Sequence, residues 1–99
     1  MVVQMSGELC VHRAGELHQD LTQQVRAALR ERQVLEVDLS AVTELDSAGV
    51  QLLLHAKQTL SRQGAKLHLL RHSEAVVQTF DLLGLARHFG DPMVVSRSA

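Results

Sequence analysis

Residues 45–55 read LDSAGVQLLLH, a stretch in which a loop passes into an amphipathic helix. Ser47 suits the helix N-cap, because short polar side chains accept the backbone N–H groups that the first turn leaves unpaired. From there, four apolar residues and one lysine recur at the helical period. This stripe consists of Val50, Leu53, Leu54, Lys57 and Leu60. The pattern predicts a helix that begins at Ser47 and lies on a core by this stripe.

The composition around this stretch predicts one globular domain over residues 1–99. Hydrophobic residues make up 45% of the 99 residues and charged residues 21%, with a single proline. Two Phe and no Trp or Tyr leave no aromatic platform on which bases could stack. Ten Lys and Arg are scattered among eleven Asp and Glu, for a net charge of −1. Nucleic acid and anionic membrane surfaces are therefore not expected as partners.

Cysteine use and the N-terminal segment indicate the compartment. Cys10 is the only cysteine, so no internal disulfide can form, and a reducing compartment is the simplest location. The N-terminus MVVQMSGEL lacks the basic segment and long apolar run of a signal peptide, and no stretch is long enough to span a bilayer. The sequence therefore predicts a cytoplasmic protein without membrane insertion.

Strands and helices alternate along the chain. This order predicts an α/β domain with a mixed, partly parallel sheet of four to five strands and about three helices packed on it. Residues 40–45 are expected to connect a strand to the helix at Ser47, where ligands of such sheets tend to lie. Gly15 is interpreted as a bulge or a tight approach before the first helix, Gly64 as a left-handed helix end, and Ser73 as a helix cap. The predicted strands are 2–3, 8–13, 34–39, 66–70 and 93–95, with a turn at 90–92. The predicted helices are 20–32, 47–63 and 73–84. The third helix is expected to bury Val76, Val77, Phe80 and Leu83.

The residues of common active sites and metal sites are missing from the sequence. The six histidines are dispersed, and the one close pair, His68 and His72, straddles a predicted strand end. There is no Gly-rich phosphate loop and no G-x-S-x-G elbow. His55 lies two helical turns from Ser47, about 12 Å, too far to act as its base. We therefore expect no enzymatic activity, no catalytic residues, no metal site and no cofactor.

Four segments in order carry a resemblance to a known family. The strongest is VDLSAVTELDSAGVQLLL at 37–54, and it is supported by AGEL at 14–17, the turn at Gly64 and FDLLGL at 80–85. Together they resemble the STAS domain of bacterial anti-sigma factor antagonists. The resemblance covers mainly residues 8–95 and implies one STAS-like domain over the whole chain.

The resemblance also implies a function. In that family, the Ser of the Asp-Ser pair is phosphorylated by an anti-sigma factor that is also a kinase, and a partner phosphatase removes the phosphate. The unphosphorylated domain binds the anti-sigma factor and frees the sigma factor. By this resemblance, Ser47 is the phosphorylation site. The predicted partner-binding residues are Asp46, Ser47, Ala48, Gly49, Gln51 and His55, the last two on the outward side of the helix.

A second branch of the family remains an alternative. The runs GELHQD at 15–20 and DSAGVQLLLH at 46–55 also resemble the small STAS subunit of a bacterial phospholipid-transport ABC complex, which binds the ATPase and supports its assembly. Members of that branch often carry Thr at the position of Ser47, so the serine favours the phosphoswitch. His18 replaces the Asp that commonly follows AGEL, and this exchange is expected to alter the surface beside the phosphorylation loop. A third interpretation, an input domain or adaptor in a chemotaxis or two-component pathway, differs mainly in the partner.

Overall fold

A computed structural model describes residues 1–84 of the chain. Three strands alternate with three helices, and a short 3-10 helix precedes the first of these. The elements are β1 (Val2–Leu9), the 3-10 helix (Val11–Arg13), α1 (Ala14–Glu31), β2 (Leu35–Leu45), α2 (Ser47–Arg62), β3 (Leu67–Leu70) and α3 (Glu74–Leu83). The α/β class and the three helices are confirmed.

The described sheet has three strands in the order β1-β2-β3, and all pairs are parallel. Each pair is joined by a helix, because a parallel neighbour can be reached only by a crossover. β2 lies in the centre, and its Leu35, Val37 and Leu39 are completely buried between the packed layers. This central strand carries the chain to the beginning of α2.

The predicted mixed sheet of four to five strands is not confirmed. The two strands expected before residue 13 are one continuous strand, because residues 2–9 pair with β2 along their whole length, with irregularities at Gln4/Ser6 and Gly7/Glu8. Gly7, with φ of 77°, takes a left-handed conformation at the second irregularity. The predicted strand at 93–95 and turn at 90–92 lie outside the described residues.

The predicted strand over residues 8–13 is wrong beyond Leu9. β1 ends there because its partner β2 also ends, at Leu45, and the chain turns into the 3-10 helix. The prediction therefore misplaced Val11, whose side chain is 62% exposed and does not share the buried face of Leu9. Arg13 closes the turn by donating to the carbonyl oxygens of Ser6 and Glu8, at 3.0 and 2.9 Å.

The first helix begins at Ala14, earlier than predicted, and Gly15 lies inside it rather than in a bulge. The reason is that Leu17 already belongs to the buried stripe that continues with Leu21 and Val25, so the helix gains core contacts from its first turns. Further along the same stripe, Ala28 is also buried and Leu29 is half-buried.

The connection predicted over residues 40–45 is instead the second half of β2. It continues to pair with β1, from Ser6↔Ala41 to Leu9↔Leu45, and buries Val42 against the core. Its polar residues face away from the core, which is why the segment looked like a loop in the sequence. β2 therefore delivers the chain directly to Asp46.

The ends of the later helices agree with the sequence signals. Gly64, with φ of 74°, follows the end of α2, and Ser73 caps α3 by accepting from the N–H of Val76 at 3.3 Å.

On α2, Val50, Leu53 and Leu60 of the predicted stripe are buried, whereas Leu54 and Lys57 are half-buried. On α3, Val76 and Phe80 are buried, Val77 is half-buried, and Leu83, expected inside, is 48% exposed.

A buried carboxylate ties β2 to the segment between β3 and α3. Asp38 accepts from the N–H of Ser40 at 2.8 Å and from the guanidinium of Arg71 at 2.9 Å. Burial by itself would raise the pKa of Asp38, but the hydrogen bonds from Ser40 and Arg71 outweigh it and hold this pKa below its usual value. The hydrogen bonds from Ser40, together with the ion pair to Arg71, thereby keep Asp38 charged inside the domain.

Candidate functional site

The carboxyl ends of β1 and β2 meet the beginning of α2 at Asp46. Leu9 and Leu45 are the last paired residues of the two strands, and the N–H of Asp46 donates to the carbonyl of Leu9 at 3.2 Å. Ser47 is the first residue of α2. The Asp-Ser pair that the sequence singled out therefore lies at the edge of the sheet where ligands of α/β folds tend to bind.

Asp46, and not Ser47, is the N-cap of α2, so the predicted capping role of Ser47 is wrong. Asp46 has the extended backbone of a cap, with φ of −115° and ψ of −177°, and its Oδ1 accepts from the N–H of Gly49 at 3.1 Å. Its Oδ2 accepts from the N–H of Val11 at 3.0 Å. One carboxylate thus joins the helix start to the 3-10 helix, and the Ser47 side chain is left exposed.

These two amide donors favour the charged form of Asp46. The N–H of Gly49, and after it the N–H of Val11, lower the pKa of Asp46 below its usual value, against the opposing effect of partial desolvation. His12, next to Val11, adds a weaker electrostatic contribution in the same direction. The carboxylate at this edge therefore stays ionised to a lower pH than an ordinary aspartate, because its pKa is lowered.

In Asp46→Asn, the free energy of unfolding is expected to fall less steeply as the pH is lowered into the acid range. A carboxyl whose pKa is lowered on folding stabilises the fold above its unfolded pKa, near 4, and this contribution is lost as the pH falls through the folded pKa. Asn still caps a helix through its carbonyl oxygen, but its amide group cannot also accept from Val11. Urea unfolding from about pH 6 to 3 should therefore show a shallower loss of stability in Asp46→Asn.

Asp20→Asn, which removes an exposed carboxylate on α1, is the control and is expected to follow the unsubstituted protein. Equal slopes for Asp46→Asn and the unsubstituted protein would contradict the assigned role of the Asp46 carboxylate.

Gly49 is buried at the point where α2 crosses the end of β1. A methyl group on its Cα would overlap the carbonyl oxygen of Leu9 and come within 2.8 Å of Leu45 Cδ1. The absence of a side chain at this position lets the helix start approach the backbone of β1. Gly49 thus lies beneath the predicted partner-binding surface and sets how closely α2 approaches β1. Ala48 beside it is half-buried.

Three predicted partner-binding residues share one exposed face of α2. Ser47, Gln51 and His55 are spaced by four residues and are all exposed. Their spacing places them one turn apart along the outward side of the helix, as the sequence predicted. The face runs from the Asp-Ser pair toward α1.

The structure adds two residues to this region, Val11 and His12. The sequence pattern had assigned both residues to a strand. The two residues, both exposed, lie next to Asp46, where an open depression of about 440 Å³ separates the 3-10 helix from α3. Thr79 of α3 holds the far side by donating to the carbonyl of Leu45 at 3.1 Å. A β-branched residue after a strand gives no sequence signal of exposure, so Val11 could not have been identified in advance.

The structure also brings two distant histidines together. His18 of α1 and His55 of α2 have ring centroids 6.2 Å apart. Within residues 1–84, no group of three or more His, Cys, Asp or Glu side chains is placed to hold a metal ion. In the same part of the chain, no helix combines the length and apolar character needed to cross a membrane.

Comparison with known proteins gives one family. The family model described as STAS domain matches residues 1–98, and thus almost the whole chain. No curated protein matches the sequence at a significant level.

Proposed function

Because the chain belongs to the STAS domain family, a family of regulatory and binding modules, we propose that it acts as an anti-sigma factor antagonist that is controlled by phosphorylation of Ser47. The observation that supports this most is the exposed Ser47 side chain at the first position of α2, beside an ionised Asp46. A hydroxyl group in this position is open to a kinase. The proposal places the module in the cytoplasm, with a protein partner.

The arrangement around Ser47 indicates how a phosphate would act. Asp46 already accepts the N–H of Gly49, so a phosphate on Ser47 does not replace this cap and stands beside a carboxylate. It adds nearly two negative charges to a surface that also carries Glu44. We expect the fold to persist while the charge of the docking surface changes, and a partner that binds the unmodified surface is then repelled.

The docking surface in this proposal consists of the exposed face of α2 together with the 3-10 helix. Ser47, Gln51 and His55 supply polar contacts, and the exposed Val11 supplies an apolar contact next to Asp46. A partner that covers Val11 would remove its apolar surface from water, which favours binding. The partner kinase would supply the nucleotide and the catalytic groups, and a phosphatase would reverse the modification.

Ser47→Ala is expected to abolish phosphorylation by the cognate anti-sigma kinase with ATP, as measured by intact mass and peptide mapping. Ser47→Asp is expected to weaken binding to that kinase by more than about tenfold, which corresponds to about 1.4 kcal/mol. Ser61→Ala removes an exposed serine from the last turn of the same helix and should leave both measurements unchanged. Phosphate on another residue, or unchanged binding by Ser47→Asp, would overturn the proposal.

The alternative is a small subunit that binds the ATPase of a phospholipid-transport ABC complex. His18 and His55, which belong to the two runs that resemble this subunit, lie side by side on α1 and α2. The two functions are distinguished by purifying the protein from its native cell and identifying the proteins that co-purify with it. An ABC ATPase that co-purifies supports the transporter subunit, and a kinase-like anti-sigma factor supports the phosphoswitch.

A further inference from the structure

His18 and His55 stand at the mouth of a groove between α1 and α2. Their ring centroids are 6.2 Å apart, the ring planes are tilted by 39°, and both side chains are exposed. The groove holds about 300 Å³, and Leu21, Leu52 and Ala56 are among the residues that line it. The apolar packing of the two helices therefore holds two imidazoles in proximity from opposite sides of one groove.

We infer that His18 and His55 form a binding site for a divalent transition-metal ion such as Ni²⁺ or Zn²⁺, bridging α1 and α2. A metal-bound imidazole nitrogen lies about 2.1 Å from the ion, so two rings on one tetrahedral ion have centroids about 5 Å apart. The observed separation thus requires the rings to approach by about 1 Å. Exposed side chains achieve this by small rotations about their χ torsions, without movement of the helices.

The charges around the pair are compatible with a cation. Among the described residues that line the groove, Arg26 is the one with a permanent positive charge. It lies two helical turns from His18, about 12 Å along α1, and so does not crowd the ion. Two protein ligands leave the remaining coordination positions to water. A pair of imidazoles selects Ni²⁺, Cu²⁺ or Zn²⁺ over Mg²⁺ and Ca²⁺, which prefer oxygen ligands.

This site needs neither Ser47 nor a protein partner, although His55 also belongs to the docking surface proposed above, so metal binding is measured on the protein alone. The consequence of occupancy is a cross-link between the two helices, because the folded arrangement holds both imidazoles close together and so binds the ion more tightly than the unfolded chain does. The fold does not depend on this ion, in contrast to folds built around a structural zinc ion, because the two helices are already packed through their buried apolar stripes.

The test is titration of untagged protein with NiCl₂ and with ZnCl₂ at neutral pH, by calorimetry and by NMR of the histidine side chains. One ion per chain is expected, with shifted ring resonances for His18 and His55 and a raised Tm. Either His18→Gln or His55→Gln should weaken binding by more than about tenfold, since loss of even an outer-shell partner costs that much. Mg²⁺ should cause none of these changes.

His12→Gln, which removes another exposed histidine, is the matched control and should leave binding unchanged. Far-UV circular dichroism of each variant checks that the fold is retained. The inference is overturned if no saturable binding occurs, if binding survives both His18→Gln and His55→Gln, or if the shifted resonances belong to other histidines.

Discussion

Gly49→Ala is expected to lower the free energy of unfolding by about 3 kcal/mol, at the upper end of the usual cost of overpacking. The added methyl group would overlap the backbone oxygen of Leu9 and lie 2.8 Å from Leu45 Cδ1. A flexible side chain could move aside, but the Leu9 carbonyl also accepts the N–H of Asp46 and is held in place. The clash is therefore relieved only by moving α2 away from the end of β1.

Urea unfolding followed by circular dichroism measures this loss, with Gly15→Ala as the matched control. Gly15 lies within α1, and no atom lies within 4 Å of the position that its methyl group would take. The same substitution there should stabilise the protein by about 0.5–1 kcal/mol, because alanine restricts the unfolded chain and favours the helix. Equal stabilities of Gly49→Ala and Gly15→Ala would show that the close approach of α2 to β1 is not real.

Phe80→Ala is expected to lower the free energy of unfolding by about 4 kcal/mol, the typical cost of removing a buried aromatic ring. Phe80 is one of two phenylalanines in the chain and is only 1% exposed. It anchors α3 on the core and contacts the ring of His72 edge-on, with centroids 5.8 Å apart. The core around it consists mainly of leucine and valine, and such neighbours relax only partly into the space that the ring leaves.

Leu82→Ala is the control for this substitution, because Leu82 lies on the same helix and is 85% exposed. Its removal should change the free energy of unfolding by less than about 0.5 kcal/mol. Thermal unfolding of both variants should therefore separate them clearly. A Phe80→Ala protein as stable as Leu82→Ala would mean that α3 is not packed on the sheet as described.

The helices could be predicted from the sequence because their signals are local. The apolar period of α1, the cap at Ser73 and the glycines after α2 and α3 each act within a few residues of chain. The Asp-Ser pair could be singled out as the candidate site because it follows a strand and carries the family pattern. The match of the STAS domain model agrees with that resemblance.

The strands at 34–39 and 66–70 were predicted, but the full extents of β1 and β2 and the cap of α2 depend on distant partners and could not be predicted in this way. Residues 40–45 look like a loop until the pairing with β1 is known, because only Val42 among them is fully buried. Asp46 and Ser47 are both good caps by residue type, and the choice between them depends on where β2 ends. The proximity of His18 and His55 likewise requires the packing of α1 on α2, which no spacing rule describes.

The guanidinium of Arg13 has a consequence for how this chain behaves at high concentration. β1 is an edge strand of the described sheet, and the exposed backbone of such an edge can pair with a strand of another molecule and begin aggregation. Arg13 occupies the carbonyl oxygens of Ser6 and Glu8, and Glu16 steadies it at 3.2 Å. A positive charge seated along this edge therefore discourages a second copy from adding its own strand there.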